Sequence, residues 1–405
     1  MAWLAAGMGK RQYDVLVYGA TGFTGRQAAR YLDEHAPAGL RLAIAGRSVT
    51  KLAELAGSLR RKEVGVVVAD SASPDTVHAM CATTRVVCTT AGPFALYGTP
   101  VIEGCVQHQT HYCDITGETP WVHDMIGRFQ TAARSDGTRL IPFAGYDSCP
   151  SDLGAWLIAM HLRTLGEDTL RVDGFHAGKG GLNGGTLATM MAMGEQGRLR
   201  DAEQIFLLNP DGEPSAKTAL DSVDQRRVFF HPRAQRYAAP FFMGAINSRV
   251  VRRSAALLAA EGAGYGPDFV YQEYFGTRGW LAAQLVNLGV HASGAMAGNR
   301  GARALLTKLG PKVGEGPSEA AMDNGWMKSQ FYGVGSAGTA VDAEVSGPGD
   351  PGNRVTVRFL CETALALASD EERLPKRAGF LTPATGLGAA LVDRMRARGM
   401  RLAIN

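Results

Sequence analysis

Short apolar runs alternate with stretches of helical spacing through the first 143 residues. The runs lie at 15–18, 41–45, 64–69, 85–90, 111–114 and 138–143, each of strand length and rich in Val, Ile, Leu or Cys. Between them, 26–32, 50–60, a segment from Pro74, 99–107 and 120–134 carry helical periodicity. Strands and helices in strict alternation predict an α/β fold with a doubly wound parallel sheet. A further helix at 150–165, with Ser148 or Ser151 as its N-cap, leads out of this unit. From Arg171 the texture changes to glycine-rich, then methionine-rich, and 333–358 reads as two strands joined by Pro348-Gly349-Asp350-Pro351-Gly352-Asn353. A second α+β domain with a mixed or antiparallel sheet follows from that pattern. The predicted organisation is a flexible tail over 1–12, the doubly wound domain over 13–160, a substrate or dimerisation domain over 161–358, and C-terminal helices over 359–405 that return to the first domain.

The first strand runs directly into Gly19-Ala20-Thr21-Gly22-Phe23-Thr24-Gly25 and then a helix. Strand, glycine turn and helix in that order are the context in which such glycines bind a dinucleotide, which makes the first domain a Rossmann domain. One glycine permits the turn, the next admits a pyrophosphate against the backbone, and the third lets helix and strand pack closely. The spacing is G-x-x-G-x-x-G, a variant of the standard fingerprint. The second strand ends in Gly46-Arg47-Ser48 with no acidic residue, and Arg47 lies 22 residues beyond Gly25. An arginine there suits the 2′-phosphate of NADP, where an acid would take the 2′-hydroxyl of NAD. NADPH is therefore the expected cofactor. Asp70-Ser71, ending the third strand, either faces the adenine or caps the next helix. Thr90-Ala91-Gly92-Pro93 and on to Gly98, Asp114 to Glu118, and Gly145 to Ser148 end three further strands and gather where ligands of such sheets bind.

Composition narrows the function class. The chain has 405 residues, 45% apolar and 20% charged, with a net charge of +4 and no dense basic run, which excludes a dedicated nucleic-acid binder. Its six cysteines form no C-x-x-C pair and suit a reducing cytosol, with no metal site. One segment stands apart. Residues 279–299 contain no Asp, Glu, Lys or Arg, yet are too polar for a membrane span. They form a buried or homodimer-forming helix, or else a face touching lipid, with Arg278, Arg300, Arg303 and Lys308 suited to anionic headgroups. The Gly180–Gly185 loop is either a flexible turn or a phosphate cradle.

The blocks YGATGFTG, AGRS, TTAGPFALYG, HYCDITGE, GYDSCPSDLG, GPSEAAMDNGWMKSQFYG and GFLTPATGLGAALVDRM resemble the saccharopine dehydrogenase-like oxidoreductases, and most closely their trans-acting enoyl reductase branch. The resemblance spans nearly the whole chain. It implies an NADPH-binding Rossmann domain, a substrate domain on a mixed sheet, and hydride delivery to a polarised C=C bond of a lipid- or polyketide-type acyl substrate, with an acyl carrier or synthase as partner. Some relatives contact membranes or lipid droplets. The alternatives are C=N chemistry on an amino acid, as in saccharopine reduction itself, or an NADPH-binding, lipid-associated protein without turnover. Tyr97, Tyr146 and Asp147 are the candidate catalytic residues, chosen from their strand-end positions. The short-chain reductase S-x-x-x-Y-x-x-x-K arrangement is missing from the expected place.

Overall fold

The computed structural model describes residues 11–181, 183–195, 197–210, 215–302, 312 and 314–405. Most of the predicted tail, Leu182, Pro214, Arg303 and Lys308 lie outside the described residues.

Two seven-stranded sheets organise the chain. The first contains β1 (Tyr13–Tyr18), β2 (Leu42–Gly46), β3 (Gly65–Val68), β4 (Thr84–Thr89), β5 (His111–Asp114), β6 (Arg139–Ile141) and, far along the chain, β13 (Gly379–Phe380). All its pairings are parallel, in the order β13-β6-β5-β4-β1-β2-β3. Val15 pairs with Leu42 on one side and Val86 on the other, so the order reverses between β1 and β4. Helices cover both faces, as a sheet apolar on both faces requires. This is the Rossmann arrangement that the alternation of runs predicted.

The second sheet is mixed. It contains β7 (Thr169–Lys179), β8 (Phe229–His231), β9 (Arg236–Pro240), β10 (Val270–Thr277), β11 (Trp326–Gly335), β12 (Ala340–Pro348) and β14 (Arg401–Ile404), in the order β14-β12-β11-β7-β10-β9-β8. Only β7 and β10 run parallel. The helices that matter for the site are α1 (Phe23–His35), α2 (Cys149–Thr164), α3 (Gly184–Glu195), α4 (Gly244–Ala259), α5 (Trp280–Gly298) and α6 (Thr356–Ser369). α2 lies on the second sheet through close glycine contacts. A Cβ on Gly154 would sit 2.3 Å from the Phe331 ring, and one on Gly333 would sit 2.3 Å from Ile158.

Three local expectations change. The hairpin lies between β11 and β12, not at 348–353. Gly349 (φ +98°) ends β12, the Asp350 carboxylate accepts the Asn353 amide at 3.1 Å, and Pro351–Val355 winds as a π-helical turn into α6. The β-branched Val355-Thr356-Val357 misleads as a strand because the capping Asp and the Pro behind it open a helix instead. Ser148 does precede α2, but its hydroxyl donates to Asn247 Oδ1 at 3.2 Å rather than capping the helix. The C-terminal segment is shared between the lobes, since β13 extends the first sheet and β14 the second.

Candidate cofactor and active site

The place where a sheet of this kind takes its ligand, the crevice at the reversal of strand order, falls between β1 and β4. Thr90, just past β4, donates its amide to the Tyr18 carbonyl at 3.0 Å, which sets the turn after β4 beside the turn after β1. Gly19 adopts φ +79°, and a Cβ there would lie 3.0 Å from the Ala91 nitrogen. Glycine is needed on both counts. A Cβ on Gly25 would fall 2.1 Å from the Gly19 carbonyl oxygen, so α1 reaches β1 only because that residue is glycine. Gly22 is the N-cap of α1 and contributes no side chain to the free N–H groups of the first turn. No acidic residue lies in that turn, and Arg26 donates to the Thr21 carbonyl at 2.8 Å. Ala20, Thr21, Phe23 and Thr24 complete a backbone cradle with the chemistry an anion requires.

At the end of β2, Arg47 is exposed and has no ion-pair partner among the described residues. Ser48 caps the helix Val49–Ser58 by accepting the Lys51 amide at 3.4 Å. After β3, Asp70 Oδ1 accepts the Ala72 amide at 3.1 Å, while Ser71 Oγ lies 3.1 Å from the Tyr18 hydroxyl. The cap reading of Asp70 is not what the geometry shows. Ser73 is the N-cap of Pro74–Thr83, and the Asp70 carboxylate closes a turn two residues on.

Two buried acids, which sequence position alone did not separate from the catalytic candidates, shape the loops over this crevice. Glu118 accepts the amides of Phe94 at 2.8 Å and Ala95 at 2.7 Å, fixing the Gly92-Pro93 loop and the short helix Phe94–Tyr97. Burial pushes its carboxyl up, against the lowering pull of those two amides. Asp114 accepts from the Tyr112 hydroxyl at 2.6 Å and from the amides of Thr116 and Phe143 at 3.0 and 3.1 Å. Burial raises it to about 7. Phe143 takes a left-handed φ of +64° two residues past β6, a strained position that this hydrogen bond supports.

The catalytic candidates separate by environment. Tyr146 and Asp147 are half-buried neighbours. Burial, with the charges of Asp147 and Glu273, holds the Tyr146 phenol far above its usual value, and burial raises Asp147 to about 6. Tyr97 is exposed. Behind Ser148 runs a chain invisible to the sequence because its members are scattered from Ser148 to Glu273. Asn247 receives the Ser148 hydroxyl and donates to Glu273 at 2.9 Å, and Glu273 accepts the Tyr271 hydroxyl at 2.6 Å and faces His176 Nε2 at 3.4 Å. Burial alone would raise Glu273, but His176 and the hydrogen bonds outweigh it and hold the carboxyl below its usual value.

Across the crevice the second domain presents apolar groups. A Cβ on Gly117 would lie 3.3 Å from Ile246 and 4.0 Å from Met243. Four arginines of this domain are engaged by other groups, while Arg236 lines a cavity on the mixed sheet with Lys328 and Trp326. Arg249 donates to the carbonyls of Glu203 and Gln204 and pairs with Asp224; Arg252 donates to those of Ile205, Ser222 and Tyr271; Arg253 donates to those of Leu208 and Phe380. Arg233 pairs with Asp342 and donates to the Gly333 and Val341 carbonyls. The Gly180–Gly185 loop is similarly engaged, with Gly181 donating to Asp350 at 2.6 Å and Gly184 to the Glu315 carbonyl at 3.0 Å. Among the described residues no group of His, Cys, Asp and Glu is placed to hold a metal.

A Rossmann sheet with an open glycine turn, joined to a mixed-sheet domain, defines an NADP-dependent oxidoreductase of the saccharopine dehydrogenase type. The saccharopine dehydrogenase NADP binding domain family matches residues 15–141. The fold is that of saccharopine dehydrogenase (L-Glu forming) from Saccharomyces cerevisiae, with a TM-score of 0.54 over 97% of this chain and 99% of that one at 12% identity. In sequence, a Mycobacterium tuberculosis protein provisionally named a trans-acting enoyl reductase is 34% identical over 411 residues, 97% of each chain. The trans-acting enoyl reductase of Mycobacterium bovis is 30% identical over 417 residues, 96% of this chain and 97% of that protein. The chain belongs to the trans-acting enoyl reductase family.

Proposed function

We propose that this protein reduces a polarised C=C bond in an acyl substrate of lipid or polyketide type, with an acyl carrier or synthase presenting the acyl group. One observation carries the reading. Met243 and Ile246 face the loop after β5 from the second domain, beside the neutral Thr189 hydroxyl on Glu118, while Arg249, Arg252 and Arg253 are consumed by backbone carbonyls. An amino-acid substrate with two carboxylates needs free cations at that wall. An acyl chain needs none.

The residues fit NADPH. The backbone from Gly19 to Gly25 would hold the pyrophosphate at the α1 N-terminus, Arg47 and Ser48 the 2′-phosphate, Asp70 and Ser71 the adenine side, and Thr90, Ala91, Gly92 and Pro93 the nicotinamide side. When bound, the cofactor supplies a hydride. The protein's own work is charge and proton supply. The Tyr146 phenol, kept neutral by burial, would donate a hydrogen bond to the thioester oxygen where negative charge develops. Asp147, raised to about 6, suits proton delivery to the α-carbon near neutral pH. Tyr97 is the weaker candidate, because an exposed phenol is not shielded from water. Glu118 positions the 92–97 loop.

The test is NADPH oxidation by the purified protein with an enoyl thioester, and separately with an α-keto acid plus an amine. Turnover of the thioester alone is expected. Turnover only of the keto acid and amine would replace this reading with saccharopine-like chemistry, and NADPH binding without turnover of either would favour a non-catalytic role.

A further inference from the structure

Helix α5 carries no Asp, Glu, Lys or Arg, and its polar side chains Gln284, Asn287 and His291 lie to one side of its leucines. Its inner side, with Ala283 fully buried, packs on β9, β10 and α3. Its outer side is bare. Leu281, Leu285 and Leu288 are 71%, 70% and 66% exposed, and Trp280 beside them is 51% exposed. At 3.6 residues per turn these leucines fall within about 60° of one another, forming a single stripe. Such a row of open leucines on a packed helix marks a surface that something covers. The helix is not long and apolar enough to cross a membrane.

Charge identifies the occupant. Arg278 and Arg300 stand at the two ends of α5, exposed, and neither has an ion-pair partner among the described residues. The sequence from 274 to 314 contains no Asp or Glu at all. A second copy docked stripe to stripe would bring like charges together in either orientation, Arg278 against Arg300 if antiparallel or Arg278 against Arg278 if parallel. No carboxylate on the helix would offset them. An anionic lipid surface meets both demands at once, taking the leucines below the headgroups and the guanidiniums among the phosphates.

We propose that α5 is an interfacial helix that docks the protein on anionic lipid, in the plane of the surface, through Leu281, Leu285 and Leu288 with Arg278 and Arg300 as electrostatic anchors. This stands independently of the reaction assigned to the crevice.

The experiment is co-sedimentation of the full chain with equimolar phosphatidylglycerol–phosphatidylcholine vesicles and with phosphatidylcholine vesicles, alongside sedimentation equilibrium without lipid. Wild type is expected to partition onto the anionic vesicles, less so at high salt. Arg278→Glu with Arg300→Glu should lower that partition by roughly 25-fold or more, at about fivefold per cation. Leu281→Asp with Leu285→Asp and Leu288→Asp should abolish it. Both variants change exposed side chains only, and unaltered NADPH binding verifies their fold. Partition unaffected by the leucine variant, or no partition by wild type, overturns the proposal. A dimer that the leucine variant dissociates, without vesicle partition, assigns the stripe to a second copy instead.

Discussion

The Glu118 carboxylate lies 2.8 Å from the amide nitrogen of Phe94, twenty-four residues earlier in the chain, and takes the neighbouring Ala95 amide with its other oxygen. One buried acid thus holds open the loop that follows β4. Glu118→Gln retains one acceptor and replaces the other with a donor aimed at an N–H. It should raise the KM for NADPH or lower kcat by about 10- to 100-fold, as loss of a charge-assisted hydrogen bond of roughly 1.5–3 kcal/mol implies. Steady-state kinetics would show it, and unchanged constants would remove Glu118 from the positioning of this loop.

In the proposed reading Arg47 carries the coenzyme preference. Arg47→Ala should weaken NADPH binding by tenfold or more and leave NADH nearly unaffected, because only the former has a 2′-phosphate for the guanidinium to meet. Titration calorimetry with both coenzymes decides it. Equal losses would place the 2′-phosphate elsewhere.

Glycines at two positions should behave oppositely. Gly25→Ala places a methyl 2.1 Å from the Gly19 carbonyl oxygen, so backbone must move. The expected result is a destabilisation of about 2 kcal/mol or more with loss of coenzyme binding. Gly57, exposed in the helix Val49–Ser58, has nothing within 4 Å of a built Cβ. Gly57→Ala should stabilise by about 0.5–1 kcal/mol. Thermal melts of the two variants provide the comparison.

The pH dependence of stability follows from acids whose folded pKa is raised. Asp114 is held at about 7, and Asp147 and Asp152 at about 6, all through burial, against an ordinary value of 3.8. Between about pH 4 and 7 the folded state therefore binds more protons than the unfolded state, and stability falls as pH rises through that window. Asp114→Asn keeps an acceptor for the Thr116 and Phe143 amides and cannot ionise. The drop in melting temperature from pH 5 to pH 8 should shrink in that variant. An undiminished drop would mean that Asp114 is not the group responsible.

Six of the first sheet's seven strands were legible because each is a local apolar run closed by a glycine or polar residue, and the helix at 99–107 is even correctly bounded, whereas β13 is two residues with no run to read. Thr356 and Val357 misled because β-branched alternation is a local signal, whereas the Asp350 carboxylate that opens a helix there is recognisable only with its Asn353 amide in place. The buried roles of Arg249, Arg252 and Arg253 were hidden for a related reason. Their partners are backbone carbonyls 19 to 127 residues away, and a carbonyl has no sequence signature. Residues 279–299 announced their missing charge but not their exposure, because an uncharged leucine stripe reads the same whether a protein or a bilayer covers it.

The final 27 residues stitch β13 into one sheet and β14 into the other, with the helix Ala389–Ala397 between them. Neither lobe is therefore complete as a contiguous piece of chain. Clipping the carboxyl end would unseat an edge of both halves together, so the catalytic lobe cannot be excised as a free-standing module or traded as a cassette between relatives without carrying its tail along.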